Sequence, residues 1–524
     1  MKKIFLFAAA AALLTACSSE ELAGVETAQQ EASEAPISFS VYTPRSVTRA
    51  GAGSDYTSTD PNYNAYTSGL QTEDLKKLGF GILAFYTDDE VYDADKSTPN
   101  FMYNTKVTYG TSTSAWEYNP VMYWPNEFKA ATADNIDRVS FFAYAPYVEV
   151  DNVTGIPYAD QKKWNDKTDP DNYRKLVDTE EKNITAISKN TATGNPFVKY
   201  VVDTDPKTSV DLLWGVAANT VGTEYRYTAI DNTNSKVTVT DGLPFINLVK
   251  PVQPHATVNG GTLSFNMLHA LSKLNIDVKY VADAETPDNG TTPASALINN
   301  EQTRIYIRSI TIGGFTMKAA LDLNNKEANK PLWKDYDGKS TLAADDNTKF
   351  FDGRKDGKEG TESGESATES YLGLNPYLLE NYVNDVWGGT EWLKAETAGG
   401  KNRGVTKEVQ NLFGKGTDAK DAPIYVIPVG SDIDITIEYD VLTADGQLAD
   451  FLSDGMTHGS MIKNIITKKS SEIFPGGAAV KMEAGKGYII HLILGMTSVK
   501  IEAEVTDFGI EAGTANLPQN QYPD

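Results

Sequence analysis

Short stretches in which apolar and polar residues alternate recur along most of this chain, and they constrain its fold more than any other feature. The clearest is 433–441, where Ile, Ile, Ile, Tyr and Val occupy every second position. A period of two is that of a strand with one buried face. The 27 Tyr, 19 Phe and 7 Trp also favour strands. Further strands are predicted at 80–86, 101–109, 116–124, 139–144, 237–240, 263–265, 274–280, 305–312, 317–323, 424–429, 488–494 and 499–505.

Patterns typical of helices are few, at 72–78, 266–272, 375–395 and 461–467. Within 305–312 the apolar phase shifts by one residue after Ile307, which predicts a β-bulge. Many short strands without alternating helices predict an all-β protein of β-sandwiches rather than a parallel α/β sheet. We expect the boundary between two sandwiches in the Asp-, Pro-, Gly- and Thr-rich stretch 283–299. The polar stretches 151–195, 281–303 and 334–370 are interpreted as surface loops.

The charge balance and the cysteine count exclude several classes of function. The 524 residues carry 71 Asp and Glu against 47 Lys and Arg, a net charge of −24 at pH 7. Nucleic acid is therefore not an expected partner, because phosphate binding needs an excess of cations. One cysteine and four histidines, with no two histidines at metal-ligand spacing, exclude an intrachain disulfide and a Cys/His zinc site.

The single cysteine, Cys17, follows an export signal. Lys2 and Lys3 form a basic start, and Ile4–Leu14 form an apolar stretch too short to span a bilayer. Small residues before Cys17 resemble the lipobox of bacterial lipoproteins, which implies a signal peptide over 1–16 and lipidation of Cys17. An ordinary secretory signal is the alternative. Residues 18–35 are small, polar and acidic, as in a flexible tether.

No constellation of residues indicates catalysis or a bound cofactor. The sequence contains no phosphate-binding loop, no GxSxG and no HExxH. His269 is interpreted as a hydrogen-bonded core residue and His491 as a strand residue. The acidic stretches 335–338 and 345–346 lack the EF-hand spacing and are interpreted as loops rather than calcium sites. The prediction is a protein that is not an enzyme and has no metal or cofactor, with a secreted hydrolase as an alternative.

Two indoles near an acid support another hypothesis. Trp387 and Trp392 flank the segment Gly-Gly-Thr-Glu. A buried aromatic cluster is one interpretation and a sugar-stacking platform is the other. The second would make the protein a surface glycan-binding β-sandwich lipoprotein.

A predicted strand and two arginines follow the tether. Ile37, Phe39 and Val41 alternate with polar residues, so the three should share the buried face of a first strand. Arg45 and Arg49 come directly after it.

Several motifs occur together in a fixed order along the chain. After the lipobox and the strand that leads to Thr-Arg-Ala at 48–50 come YNPVMYWP at 118–125, VSFFAYAP at 139–146, DLLWG at 211–215, FNMLHALSKL at 265–274 and AGKGY at 484–488. This set, over roughly 1–508, resembles the fimbrillin family, the subunits of type V pili.

The resemblance implies a fold and an assembly route. Such subunits are two tandem transthyretin-like β-sandwiches, here 50–290 and 291–524 with its tail, exported as lipoproteins to the outer membrane. An arginine-specific protease then cuts behind an arginine that follows the first strand. The loss of that strand opens a groove for a strand donated by another pilus subunit. The implied bond is Arg49–Ala50, with Arg45–Ser46 as the fallback, and 17–49 is the removable propeptide.

One part of the sequence departs from the family pattern. A repeating shaft subunit should end in a donor strand, whereas 509–524 is polar, contains two prolines and alternates weakly. Either 499–508 contributes to donation, or the chain is an anchor or tip subunit.

Overall fold

A computed structural model gives the fold over the parts of the chain that it describes. These are residues 36–43, 69–88, 90–125, 137–157, 182–203, 209–221, 224–225, 227–230, 235–249, 262–280, 303–314, 316–336, 410–411, 423–428, 432–444, 459–474, 476–494 and 499–507.

Strands dominate the described residues. In chain order they are β1 Ser38–Tyr42, β2 Phe80–Tyr86, β3 Met102–Gly110, β4 Ala115–Glu117, β5 Val139–Ala145, β6 Asn183–Ile187, β7 Phe197–Val201, β8 Leu213–Ala217, β9 Thr220–Val221, β10 Glu224–Tyr225, β11 Thr228–Ile230, β12 Lys236–Thr238, β13 Phe245–Leu248, β14 Thr262–His269, β15 Ser272–Tyr280, β16 Thr303–Gly313, β17 Lys318–Asp322, β18 Leu332–Lys334, β19 Gln410–Asn411, β20 Ile424–Val426, β21 Asp434–Ala444, β22 Gly459–Lys469, β23 Lys486–Leu494 and β24 Val499–Asp507. Two short helices, α1 Thr72–Leu78 and α2 Ser470–Ile473, complete the set. The protein is all-β.

The N-terminal half forms a large sheet of ten strands. Its path runs β1-β14-β8-β5-β13-β11-β12, and β2, β3 and β4 branch from β5. β1 is parallel to β14, while the other pairs are antiparallel. β1 therefore ends the path of this sheet.

Twelve of the remaining strands form three smaller sheets that join distant parts of the sequence. β15, β19, β20, β23 and β24 form one, β16, β21 and β22 a second, and β18, β17, β7 and β6 a third. A fourth small sheet pairs β9 with β10. β15 lies before residue 290 and pairs with β23, whereas β17 lies after it and pairs with β7. The proposed boundary itself lies outside the described residues, and the two-sandwich division stays a prediction.

Two hydrophobic cores lie on opposite faces of the large sheet. One contains β1 and α1 side chains together with Phe80, Phe141 and Phe265. The other contains the opposite face of β5 and β8, with Phe142 and Trp214, and extends to the smaller sheets. Alternation along each strand assigns its side chains to one core or the other.

Two predicted helices are strands. Residues 266–269 end β14, whose buried residues recur every second position, and after a two-residue connection Ser272 begins β15. Residues 461–467 fall in β22, which pairs with β21 along its length. The spacing of Ile462, Ile465 and Ile466 mimics a helical face, yet Ile465 is 68% exposed. Pairing of these β-branched residues with β21 stabilises a strand here, although their spacing is compatible with a helix.

Other local predictions are confirmed. The helix at 72–78 and the strand at 80–86 occur with those bounds, and the β16–β21 register shifts between Ile307 and Ser309 as a bulge requires. The strand predicted at 116–124 is shorter than expected, because β4 ends at Glu117. The loop prediction at 151–195 is wrong over β6. The helix predicted at 375–395 lies outside the described residues.

Candidate functional site

The candidate site is the first strand together with the groove that holds it. β14 is the strand paired with β1 among the described residues, over five residues in parallel register. On the outward face, Ser38 Oγ lies 2.6 Å from Thr262 Oγ1, and Ser40 Oγ lies 2.9 Å from Ser264 Oγ. A strand held by one strand partner at the end of a sheet can leave without separating any other described strand pair.

The inward face of β1 is buried as its alternation predicts. Ile37, Phe39 and Val41 are 1%, 3% and 7% exposed. The centroid of the Phe39 ring lies 5.3–6.4 Å from those of four rings: Phe80, Tyr118, Phe141 and Phe265. Aromatic contacts at these separations add to the stabilisation from buried area. Phe39 therefore occupies the centre of the groove.

The N-terminal end of β1 is held from the side opposite β14. The Ile37 N–H donates to the Met122 carbonyl at 2.8 Å, and the Tyr118 hydroxyl donates to the Ile37 carbonyl at 2.7 Å. The Met122 N–H donates to the Tyr118 hydroxyl at 3.2 Å. The segment 118–123 thus forms a second wall of the groove.

The C-terminal end of β1 is joined to α1 by a pair of threonines. The Thr43 N–H donates to Thr72 Oγ1 at 3.1 Å, and the Thr72 N–H donates to Thr43 Oγ1 at 2.9 Å. The two hydroxyls lie 2.9 Å apart. Thr43 is 2% exposed and Thr72 is half-buried, so these contacts are partly shielded from water. We refer to these two residues as the Thr43–Thr72 pair.

A buried carboxylate fixes the chain just before α1. Asp211, fully buried ahead of β8, accepts hydrogen bonds from the Leu70 N–H at 3.1 Å and the Leu212 N–H at 2.9 Å. Its Oδ2 also lies 2.6 Å from His269 Nδ1. Buried charges persist when they are hydrogen-bonded in this way. The arrangement fixes the start of α1 to the sheet independently of β1.

The predicted site residues divide between described and undescribed parts of the chain. Ile37, Phe39 and Val41 lie together in the groove. The other predicted positions lie outside the described residues: Cys17, Arg45, Ser46, Arg49, Ala50, Trp387 and Trp392.

The two histidines that sequence reasoning interpreted as structural have structural partners. His269 is buried against Asp211, as predicted for a core histidine. His491 lies on β23, with its Nδ1 2.8 Å from Asp277 Oδ2. Within the described ranges, no group of three or more His, Cys, Asp or Glu side chains could hold a metal ion. No described helix is long and apolar enough to cross a membrane.

Sequence reasoning missed the groups that hold the ends of β1. Tyr118 stands in the sequence only as part of the motif YNPVMYWP at 118–125, and no sequence-based prediction singles out Thr43. The available signals were weak: Pro44 keeps Thr43 extended, and Thr72 begins the helical pattern. Neither signal predicts that Thr43 and Thr72, which lie 29 positions apart, are in contact.

The candidate donor strand is part of a sheet. β24 pairs with β23 over nine residues, from Lys486↔Asp507 to Leu494↔Val499, and Ile501 and Ala503 are buried. Donation by this strand would require it to leave β23. Residues 508–524 lie outside the described part of the chain.

We predict that Tyr118→Phe weakens the attachment of β1 by about 0.5–1.5 kcal/mol, the net value of one hydrogen bond. Burial raises the pKa of the Tyr118 phenol above its ordinary value of 10. Because the folded pKa is raised, this contribution is complete below pH 10 and is lost as the pH rises through the folded pKa. Hydrogen exchange of β1 at pH 8 and 10.5 measures both effects. The difference between wild type and variant should shrink at the higher pH, and a constant difference would contradict the assignment.

Comparison with known proteins gives structural neighbours only. No family model matches the chain, and neither does any curated protein. A fimbrial protein from Bacteroides vulgatus is 17% identical, with 90% of this chain and 99% of that chain covered and a TM-score of 0.43. A candidate cell adhesion protein from Bacteroides uniformis is 11% identical, with 91% and 98% covered and a TM-score of 0.32. The tip fimbrial protein Mfa3 from Porphyromonas gingivalis is 9% identical, with 82% and 94% covered and a TM-score of 0.19.

By their descriptions, these neighbours are fimbrial proteins and a candidate adhesion protein. The chain covers nearly all of each of them.

Proposed function

We propose that this chain is a structural subunit of a surface fimbria, a type V pilus, and that it contributes to adhesion. Assembly occurs by donor-strand exchange: β1 is cut away, and a strand from another subunit takes its place in the groove. The observation that carries the proposal is that β1 ends its sheet, is buried along one face and is followed by Arg45 and Arg49.

Loss of β1 would leave a surface that needs a new strand. The Phe39 side chain covers Phe80, Phe141 and Phe265, so its departure exposes aromatic rings to water. The β14 backbone would at the same time become an unpaired sheet edge. Both are costly, and an extended segment with apolar residues at alternate positions satisfies both at once.

The peptide bonds between β1 and α1 explain why a cut is needed. While β1 is tethered, its effective concentration at the groove is of the order of millimolar or more, which excludes a strand from another molecule. After a cut at Arg49–Ala50, or at Arg45–Ser46, β1 competes as a separate fragment. The protease therefore acts as the trigger of assembly.

The same proposal includes the export route and the partners. The signal 1–16 directs the chain out of the cell, and lipid on Cys17 attaches the precursor to the outer membrane until the cut releases residues 50–524. Partners are other pilus subunits, the membrane lipid and an arginine-specific protease. The chain performs no catalysis.

The pairing of β24 bears on the position of the subunit in the pilus. β24 forms nine residue pairs with β23 and buries Ile501. Its donation to a neighbour would therefore break this pairing and expose part of the core of its own subunit. This favours an anchor or tip position, or donation by the residues after 507. Microscopy of cells expressing the chain, with labelling for it, would distinguish shaft, base and tip.

The test uses the chain without residues 1–16. Incubation with an arginine-specific protease should produce a new N-terminus at Ala50 or Ser46, followed by oligomers in size-exclusion chromatography and filaments in negative stain. Uncut protein is the control and should stay monomeric. Cutting at this place without any oligomer, with or without added partner subunits, would refute the polymerising role.

A further inference from the structure

We infer that the Thr43–Thr72 pair is a latch that keeps β1 in the groove after the connecting segment is cut and sets the rate at which β1 leaves. In this view cutting and strand release are separate steps. The inference refines the proposed function, which supplies the cut, but its physical content concerns this chain alone.

The geometry places the latch where a cut would otherwise free the strand. Thr43 is the residue after the last residue of β1, and Thr72 is the first of α1. Two N–H donors and two hydroxyls lie within 2.9–3.1 Å of each other in three contacts. The candidate bonds after Arg45 and Arg49 both fall between these two residues in sequence. A cut there leaves every contact of the latch in place.

The body side of the latch does not depend on β1. Leu75 of α1 is fully buried, and the Leu70 N–H is bound by Asp211. Thr72 is therefore held in position when β1 moves, and it can retain Thr43 or capture it again. The other end of β1 has its own contacts to Met122 and Tyr118. A strand fixed at both ends opens only when one end detaches, and the C-terminal end is the one next to the cut.

The lone cysteine provides a direct measurement. Cys17 is the only cysteine of the 524 residues and lies on the β1 side of either cut. A dye attached there, in chain expressed without residues 1–16, reports on the fragment and not on the body. After limited cutting, verified by intact mass, excess unlabelled peptide of residues 36–43 is added and the decay of fluorescence anisotropy is followed.

In the wild type, the dye should co-elute with the body before the peptide is added and leave slowly afterwards. Thr72→Val keeps the shape of the side chain but removes its hydroxyl, and we expect release about fivefold to tenfold faster. Thr72→Ser keeps the hydroxyl and should release at close to the wild-type rate. In the double variant Thr43→Val, Thr72→Val, the increase in release rate should be smaller than the product of the increases in the two single variants, because the residues act as a pair.

Two outcomes would overturn the latch. One is complete loss of the dye from the wild-type body as soon as the segment is cut, and the other is equal release from wild type and Thr72→Val. Hydrogen exchange of uncut Thr72→Val should show an intact fold, so faster release would not reflect general unfolding. The readout needs no oligomer. If the latch operates and no oligomer forms, the polymerising role alone fails.

Discussion

Replacing Phe39 by alanine should cost about 3–5 kcal/mol of β1 attachment, the largest effect we expect from a single change in the strand. The ring is 3% exposed and contacts four other aromatic rings, so its removal leaves a cavity in a place where the walls belong to different strands. Such walls cannot all move inward to fill the space.

The effect should be largest in the local opening of β1. Because a terminal strand can open while the rest stays folded, the loss in global stability cannot exceed the free energy that holds β1 in place. Hydrogen exchange of β1 and β14 amides, together with urea unfolding, would separate the two quantities. We expect the free energy of opening of β1, measured from hydrogen exchange, to fall more than the free energy of global unfolding, measured in urea.

Tyr42→Ala is the matched control for Phe39→Ala. Tyr42 lies on the same strand, faces outward and is 36% exposed. Its removal should change stability by about 0.5 kcal/mol or less. Equal effects at the two positions would contradict the assignment of Phe39 to the centre of the groove.

The inward face of β1 was predictable because the information is local. In a strand with one buried face, the alternation of apolar and polar residues shows which side chains point inward. Ile37, Phe39 and Val41 could therefore be assigned to the buried face without knowing which strand β1 pairs with. The bulge after Ile307 was predictable for the same reason, since a shift of apolar phase within one strand has one simple cause.

The partners of these strands were not predictable from the residues. β1 pairs with a strand whose residues lie 224 positions away. The Ser and Thr residues that meet across this pair are common residue types, so they do not identify the partner strand. β17 likewise pairs with β7 across the proposed domain boundary. β22 shows the opposite failure: its Ile spacing was compatible with a helix, and pairing with β21 selected the strand. Pairing is a property of the whole chain and not of a segment.

Changing both Arg45 and Arg49 to lysine should abolish cutting between β1 and α1 by an arginine-specific protease and, with it, assembly. Residues 44–69 contain no basic residue other than these two arginines, so the double variant has no arginine there for such an enzyme to recognise. β1 then stays tethered at high effective concentration, and no strand from another subunit can displace it. The measurement is the N-terminal sequence and the oligomer distribution after incubation.

Trypsin turns the same variant into its own control, because trypsin cuts after lysine as well as arginine. The Arg45→Lys, Arg49→Lys chain should be cut by trypsin between β1 and α1 and should then assemble like the wild type, since neither position lies in the groove. The single variants assign the bond: Arg49→Lys alone should shift the new N-terminus from Ala50 to Ser46. Assembly of the double variant with only the arginine-specific protease present would show that the trigger lies elsewhere. The tethered first strand would then not be what prevents exchange.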